Sequence, residues 1–340
     1  MPPFINRIRP LPAADQLITV IILAHNEEEN ITHCLESVGS SYKIFVVDSG
    51  STDRTSEICE DFGAVVFKHP YTTHACQWQW AFDNLPITTP WILALDADFV
   101  VTEELFAKIT RDMPKVPDDV DGIYIRHLYR FGWGKIRFGG TKKYWLRMIR
   151  HGFARVDSGD LVDFRFVVKR RVLDWQEGVI EDNRKDEDIS VWIGKQDKFA
   201  LRLAVEEELR RRGLHAWDST PRLLGTTDER FAWLRDRWLR LPLFLRPVLY
   251  FLYRYVIAGG MCDGRAGFLY HVLQGLWMRL IVDWKTIQLR NVNLEDDELQ
   301  EFGRAMLQTD RGSVAEVLRV VRECPSRQIG ERGVSTIQKS

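Results

Sequence analysis

At 340 residues, with 45% hydrophobic and 28% charged side chains, the chain has the composition of a globular protein long enough for about two domains. Its 47 basic side chains against 48 acidic ones leave a formal charge of −1, so no overall basic field marks nucleic acid as a partner. The five cysteines, Cys34, Cys59, Cys76, Cys262 and Cys324, are odd in number and never form Cys-x-x-Cys; this speaks against a disulfide framework or zinc knuckle and for a reducing cytosol.

In chain order, residues 1–16 read as an extension: Met1 to Pro12 carries prolines and arginines but no apolar core of signal-peptide length. No run of about 18 uncharged apolar residues follows anywhere, which argues against a simple membrane span. Gln16 to Ala24 is β-branched and almost wholly apolar, as a central parallel strand covered on both faces requires. His25 to Asn30 then turns the chain into an acidic first helical turn, and Ile31, Cys34, Leu35 and Val38 follow at helical spacing. Lys43 to Val47 predicts a second strand, closed by the small, acidic loop Asp48 to Asp53, where Thr52 or Asp53 can cap the helix through Cys59. Ala64 to Lys68 predicts a third strand and Ala75 to Asn84 a helix. The run from Trp91 to Leu95 is a fourth strand ending in Asp96-Ala97-Asp98; strand alternation would put both carboxylates on one side. Two hard oxygen donors there suit Mg²⁺ or Mn²⁺ carrying substrate phosphates.

This βαβαβαβ order predicts an open α/β sheet with its ligand at the carboxyl ends of the strands. A dinucleotide-type domain is disfavoured, because no Gly-x-Gly-x-x-Gly follows the first strand.

Three stretches carry a more specific resemblance: Ala24-His25-Asn26-Glu27-Glu28, Val47-Asp48-Ser49-Gly50-Ser51-Thr52-Asp53 and Leu95-Asp96-Ala97-Asp98. In this order and spacing they resemble the nucleotide-sugar signatures of family 2 inverting glycosyltransferases with the GT-A fold. The chain also resembles the bacterial exopolysaccharide, colanic-acid and lipopolysaccharide-core branch. Gln77-Trp78-Gln79-Trp80-Ala81 is similar to that branch's Gln-x-Asn-Trp-Ala pattern, and Leu245-Arg246-Pro247, Tyr253-Arg254-Tyr255 and Asp263 to Phe268 resemble its C-terminal signature. The resemblance implies nucleotide-sugar contacts at Ala24, His25, Asn26, Glu27, Asp48, Ser49, Asp53, Gln77, Ala81, Asp96 and Ala97, with a metal at Asp96 and Asp98. Glu27 and Asp48 would seat the nucleoside, since a carboxylate accepts a base imide N–H or ribose hydroxyls. For Asp53, turn and cap work is an equal alternative.

Inverting transfer needs a general base for the acceptor hydroxyl. Two segments compete. Val162 to Val168 resembles a Val-(Asp/His)-Glu-His element, with Asp163 matching and Phe164 standing in place of glutamate. Ile180-Glu181-Asp182-Asn183-Arg184-Lys185 resembles a His-Asp/Glu-Asp-Arg-Lys stretch before a Trp-Ile helix. Asp182 ranks ahead of Asp163, with Glu181 beside it. Arg126, Arg147 or Arg184 could clamp a diphosphate. His25, His69, His74, His127 and His151 lack ligand spacing and read as loop or core residues.

In the second half, Trp192 to Arg212 reads as an amphipathic helix with Arg210-Arg211-Arg212 at its solvated end. Two segments follow, Leu243 to Ile257 and Gly267 to Trp284, in which Arg246, Tyr250 and Arg254, and then His271, Gly275, Arg279 and Asp283, each form one polar stripe on a broadly apolar helix. Too charged to span, they fit helices lying in a bilayer interface or buried against the catalytic domain or a second subunit. The expected organisation is an α/β GT-A catalytic domain over 17–225, interface helices over 226–290, and C-terminal helices with a disordered tail over 291–340. The expected partners are a UDP- or GDP-type sugar donor, a polyprenyl-diphosphate-linked glycan acceptor and a membrane surface, without nucleic acid, and with a homo-oligomer left open. The place is the cytoplasmic side of the inner membrane, peripherally. Two alternatives stand beside this reading. One is a haloacid-dehalogenase-like phosphatase, in which Asp96 would be the nucleophile; the other is a non-catalytic membrane adaptor on a degenerate transferase fold.

Overall fold

The computed structural model describes residues 14–140, 143–157, 164–215, 221–224, 227–308 and 312–323. They fall into two compact units. The first gathers residues up to 130, 142–156 and 165–184, the second 131–141, 157–164 and 185 onward.

The first unit begins with a single turn, α1 (Ala14–Leu17), and β1 (Ile18–Ala24), buried at every position. Its edges pair in parallel with β2 (Lys43–Asp48) and β4 (Trp91–Asp96), and helices packed on the sheet keep its faces from water. Helix α2 (Ile31–Val38) turns Ile31, Cys34, Leu35 and Val38 inward at the spacing its sequence shows. Helix α3 (Thr55–Asp61) leads to β3 (Val65–Lys68), which pairs with β2, and α4 (His74–Asn84) starts from a Thr73 cap accepting from Cys76 N. After β4 come β5 (Phe99–Val101), α5 (Glu103–Asp112) and the long β6 (Val120–Phe131). Past the short β7 (Gly134–Ile136), which falls in the second unit, β8 (Lys143–Arg150) runs antiparallel to β4 and β6. A separate two-stranded ribbon joins β9 (Ala154–Asp157) and β10 (Arg165–Val168), and β11 (Arg171–Glu181) closes the sheet. The order β3-β2-β1-β4-β8-β6-β11-β5 is a mixed sheet whose parallel half is the βαβαβαβ expected, and helices cover it.

One expectation fails at the point that matters most for the site. The strand ends at Asp96, and Ala97 and Asp98 form a turn before β5, so alternation does not orient Asp98. The turn arises because β5 leaves β4 to pair antiparallel with β11, with Glu181 opposite Phe99.

The second unit is helical. Helices α6 (Ile189–Arg211), α10 (Met278–Val292), α11 (Asp296–Gln308) and α12 (Val314–Glu323) share an apolar core around Leu201, Val205, Val282, Leu289, Phe302 and Val317. Helix α7 (Thr227–Arg240), helix α8 (Leu245–Leu252) with its π-helical continuation Tyr253–Ile257, and α9 (Gly264–Tyr270) with its continuation His271–Trp277 complete it. Arg210 is buried against Glu206, not solvated as the sequence suggests, while Arg211, Arg212 and Arg290 converge on buried Glu208. Three consecutive glutamates inside a helical bundle would be prohibitive unless cations came with them.

Both polar stripes turn inward. Arg246 is held by Asp283 and by Glu207 at 2.7 Å, and Arg254 donates to Gly139 O at 2.7 Å. Leu245, Val248, Leu249, Leu252, Tyr253, Val256 and Ile257 are left exposed on the opposite face.

His271 lies fully buried in this unit, with neither ring nitrogen hydrogen-bonded, in a cradle that a Cβ on Gly139 or Gly260 would fill. Burial, and after it the Arg254 cation, push its imidazole down to about 4. The unfolded chain therefore takes up a proton between its ordinary value of 6.5 and about 4 that the folded chain refuses. Stability is complete above pH 6.5 and falls as the pH drops through that window, by about 3 kcal/mol at most. Thermal melts from pH 4 to 7.5 should show a steeper acid-side decline in wild type than in His271→Leu; parallel declines would assign the loss to other groups.

Candidate active site

The loops after β1 and β2 satisfy one another's backbone amides. Ser49 N donates to Ala24 O at 2.9 Å, Asn26 N to Ser51 Oγ at 2.9 Å, Glu27 N to Thr55 Oγ1 at 2.7 Å and Glu28 N to Asp53 Oδ2 at 3.1 Å. Asn26 reaches this position in the left-handed region, φ 53°, which asparagine tolerates, and its Oδ1 accepts from Thr52 N at 2.7 Å. The spacing of the two acidic stretches is thus the spacing at which one loop caps the other.

Asp48 ends β2 at 1% exposure; Oδ1 accepts from Ser51 N at 3.0 Å and from Ser51 Oγ, and Oδ2 from Ser56 Oγ at 2.9 Å. Asp53 accepts from Thr55 N at 3.0 Å, so it works as a turn and cap residue in this state. Gln77 is fully buried and donates to Ser49 Oγ at 2.8 Å and to His69 O at 2.9 Å, pinning the β2 loop from behind. Ala81, on the same helix, is fully buried, as are Ala24 and Ala97 at the strand ends. His25 is exposed, with its Nε2 3.5 Å from the Asn26 amide. Glu27 is half-buried and accepts from Asn30 Nδ2 at 2.6 Å.

At the end of β4, Asp96 Oδ2 accepts from Arg147 Nη2 at 2.8 Å, while Asp96 Oδ1 is buried without a hydrogen-bond partner. Arg147 is itself 4% exposed, its guanidinium about 5.0 Å from the ring centroids of Phe99 and Trp145. Asp98 Oδ2 accepts from Asn183 Nδ2 at 3.1 Å. An unsatisfied buried carboxylate oxygen beside a second carboxylate fits a divalent cation, which needs one or two such ligands and takes the rest from water and phosphate. Among the described residues no group of three His, Cys, Asp or Glu side chains meets, so a self-sufficient protein cage is absent there. The Cys34 thiol lies 3.8 Å from Asp96 O, and burial first, then the Asp98 and Asp96 charges, raise its pKa well above the usual thiol range.

The segment after β11 reaches this pair directly. Asp182 N donates to Asp98 O at 2.9 Å. Its side chain, about one-fifth exposed, meets Arg130 Nε at 3.2 Å. Glu181 Oε2 lies 2.9 Å from His127 Nε2, and the His127 ring stacks on Trp145 at 4.1 Å and 17°. Asp163 lies outside the described residues. Of the three arginines weighed from sequence, Arg147 is committed to Asp96, whereas the Arg184 side chain is exposed with its backbone N–H held by Asn30 Oδ1 at 2.8 Å. Asn30, His127 and Arg130 escape sequence reasoning, because their partners lie far along the chain, 154 positions away for Asn30 and Arg184.

Residues 19–173 match the sequence model of glycosyl transferase family 2. The lipopolysaccharide core biosynthesis glycosyltransferase LpsC of Rhizobium meliloti is 28% identical over 151 residues, 43% of this chain and 55% of that protein, so the match spans about half of that relative's length. An uncharacterized glycosyltransferase of Mycobacterium tuberculosis is 27% identical over 162 residues, 47% of this chain and 72% of its own. Among solved structures, S. aureus TarS 1-349 aligns over 82% of this chain and 91% of its own at 13% identity, with a TM-score of 0.36.

Proposed function

Because residues 19–173 form a glycosyl transferase family 2 domain, we propose that the chain is a metal-dependent inverting transferase. It would move a sugar from a UDP- or GDP-type donor to a growing surface glycan. The observation that carries this reading is the orphaned, buried Asp96 Oδ1 beside Asp98, at the carboxyl end of a central strand. Asp96 and Asp98 would hold Mg²⁺ or Mn²⁺, which when bound neutralises charge growing on the departing diphosphate. Glu27 faces the nucleoside; Asp48, Ser49, Asp53 and Gln77 shape the loops that hold it. Arg184, exposed beside Asn30, is the cation best placed to meet the diphosphate. Asp182 takes the proton of the acceptor hydroxyl as it attacks the anomeric carbon. The phosphatase alternative fits less well, since Arg147 occupies one oxygen of the would-be nucleophile Asp96.

Calorimetric titration with UDP, GDP and CDP, each with Mn²⁺ and with EDTA, tests the reading. Micromolar, metal-dependent binding of one nucleotide is expected; no binding to any of them would sink it.

The acceptor in this proposal is a glycan on a polyprenyl diphosphate, met at the cytoplasmic face of the inner membrane. Among the described residues no helix is long and apolar enough to cross a membrane. Instead, the exposed row from Leu245 to Ile257, with Arg240 exposed just before it and Arg265 just after, has the apolar face and basic rim of a helix lying in an interface. Each such side chain is worth about 1.5–3 kcal/mol when buried. Leu249→Asp or Ile257→Asp should therefore cut co-sedimentation with phosphatidylglycerol vesicles roughly tenfold or more, at unchanged melting temperature. Wild type that ignores vesicles and elutes as a dimer would reassign the stripe to a second copy of the chain.

A further inference from the structure

A chain of side-chain amides joins the two ends of the proposed site. Asn30, 2% exposed, donates from one Nδ2 to Glu27 Oε2 at 2.6 Å and to Asn183 Oδ1 at 3.1 Å, while its Oδ1 accepts from Arg184 N at 2.8 Å. Asn183 in turn donates from Nδ2 to Asp98 Oδ2 at 3.1 Å. The loop after β1, where Glu27 lies, is thereby tied to Asp98 through two asparagines that are 153 positions apart. Asparagine suits both places, because one side chain must accept and donate at once; aspartate would lack the donor and would set a second negative charge against Asp98.

We propose that Asn183, braced by Asn30, is a positioning residue. It holds the Asp98 carboxylate in place at the cation site, and it couples metal binding to occupation of the nucleotide loop. This rests on the reading that Asp98 faces a metal.

The test uses the full chain and two readouts: Mn²⁺ alone, followed by electron paramagnetic resonance, and the nucleotide that wild type binds, titrated in Mn²⁺ and in EDTA. Partners that orient a metal ligand are typically worth about 10–100-fold in metal affinity. Asn183→Ala and Asn183→Ser should weaken Mn²⁺ binding about tenfold and shrink the Mn²⁺-dependent gain in nucleotide affinity, leaving affinity in EDTA unchanged. Asn30→Ala should act in the same direction, and the double variant should be no worse than the weaker single one, since both cut one chain. Full Mn²⁺ affinity in both Asn183 variants, or an equal loss in Mn²⁺ and in EDTA, overturns the proposal while leaving the transferase site standing. A wild type that binds no nucleotide overturns both.

Discussion

An Asp98→Ala variant is expected to keep its fold and lose metal-dependent nucleotide binding, with kcat/KM for sugar transfer down by about 10³-fold or more. The size follows from what the carboxylate would do. In a site screened from water, charge arising on a leaving diphosphate is stabilised by groups already in place, and removing one such group typically costs about 10²–10³ in rate. Losing the ligand that also anchors the cation adds to that. The fold should survive, because Asp98 sits in a turn after β4 and the backbone bond from Asp182 N to Asp98 O does not need the side chain. The group left behind is the Asn183 amide, at an intermediate position that water reaches. Melting curves, calorimetry with and without Mn²⁺, and a transfer assay decide it: an unaltered Mn²⁺-dependent affinity would show that the ion, if used, binds elsewhere.

Asp182→Asn should lower kcat by about 10²–10⁴, the usual contribution of a positioned general base, while nucleotide affinity and its metal dependence stay as in wild type. Asp182 is favoured over its neighbour by geometry. Glu181 is turned to His127, which is 5% exposed and stacked on Trp145, whereas Asp182 meets Arg130, whose side chain is 42% exposed. A surface pair of that kind is worth about 0–1 kcal/mol and gives way readily to an acceptor hydroxyl. The amide side chain introduced there would keep the size and leave the backbone bond to Asp98 O in place, but it could not take a proton. Glu181→Gln is the control: if it abolishes turnover while Asp182→Asn does not, the base is Glu181 relayed through His127.

The parallel half of the sheet was legible because each strand is a run of apolar residues that ends in polar ones. Ile18 to Ala24 is buried at all seven positions, as a central parallel strand requires. The acidic stretches after β1, β2 and β4 were legible for the same reason: a strand end is where a carboxylate can face a ligand. The alternation argument for Asp96 and Asp98 does not reach Asp98, because the strand ends at Asp96 and β5 peels away after the turn at Ala97 and Asp98. The polar stripes of the second half were found, but their direction was not. Arg246 finds Asp283 and Glu207 inside the unit, and this turns Leu249, Leu252 and Ile257 outward.

Local sequence determined which residues form strands and helices, where the loops fall, and which carboxylates stand at strand ends, because hydrophobic periodicity and turn chemistry act over a few neighbouring positions. Tertiary structure alone decided what these polar groups meet: Arg147 on Asp96, Asn183 between Asn30 and Asp98, and His127 on Glu181. These contacts join residues far apart in the chain, and none has a sequence period. Their formation depends on burial that makes an unpaired polar atom costly, a condition that exists only once the strands and helices have packed.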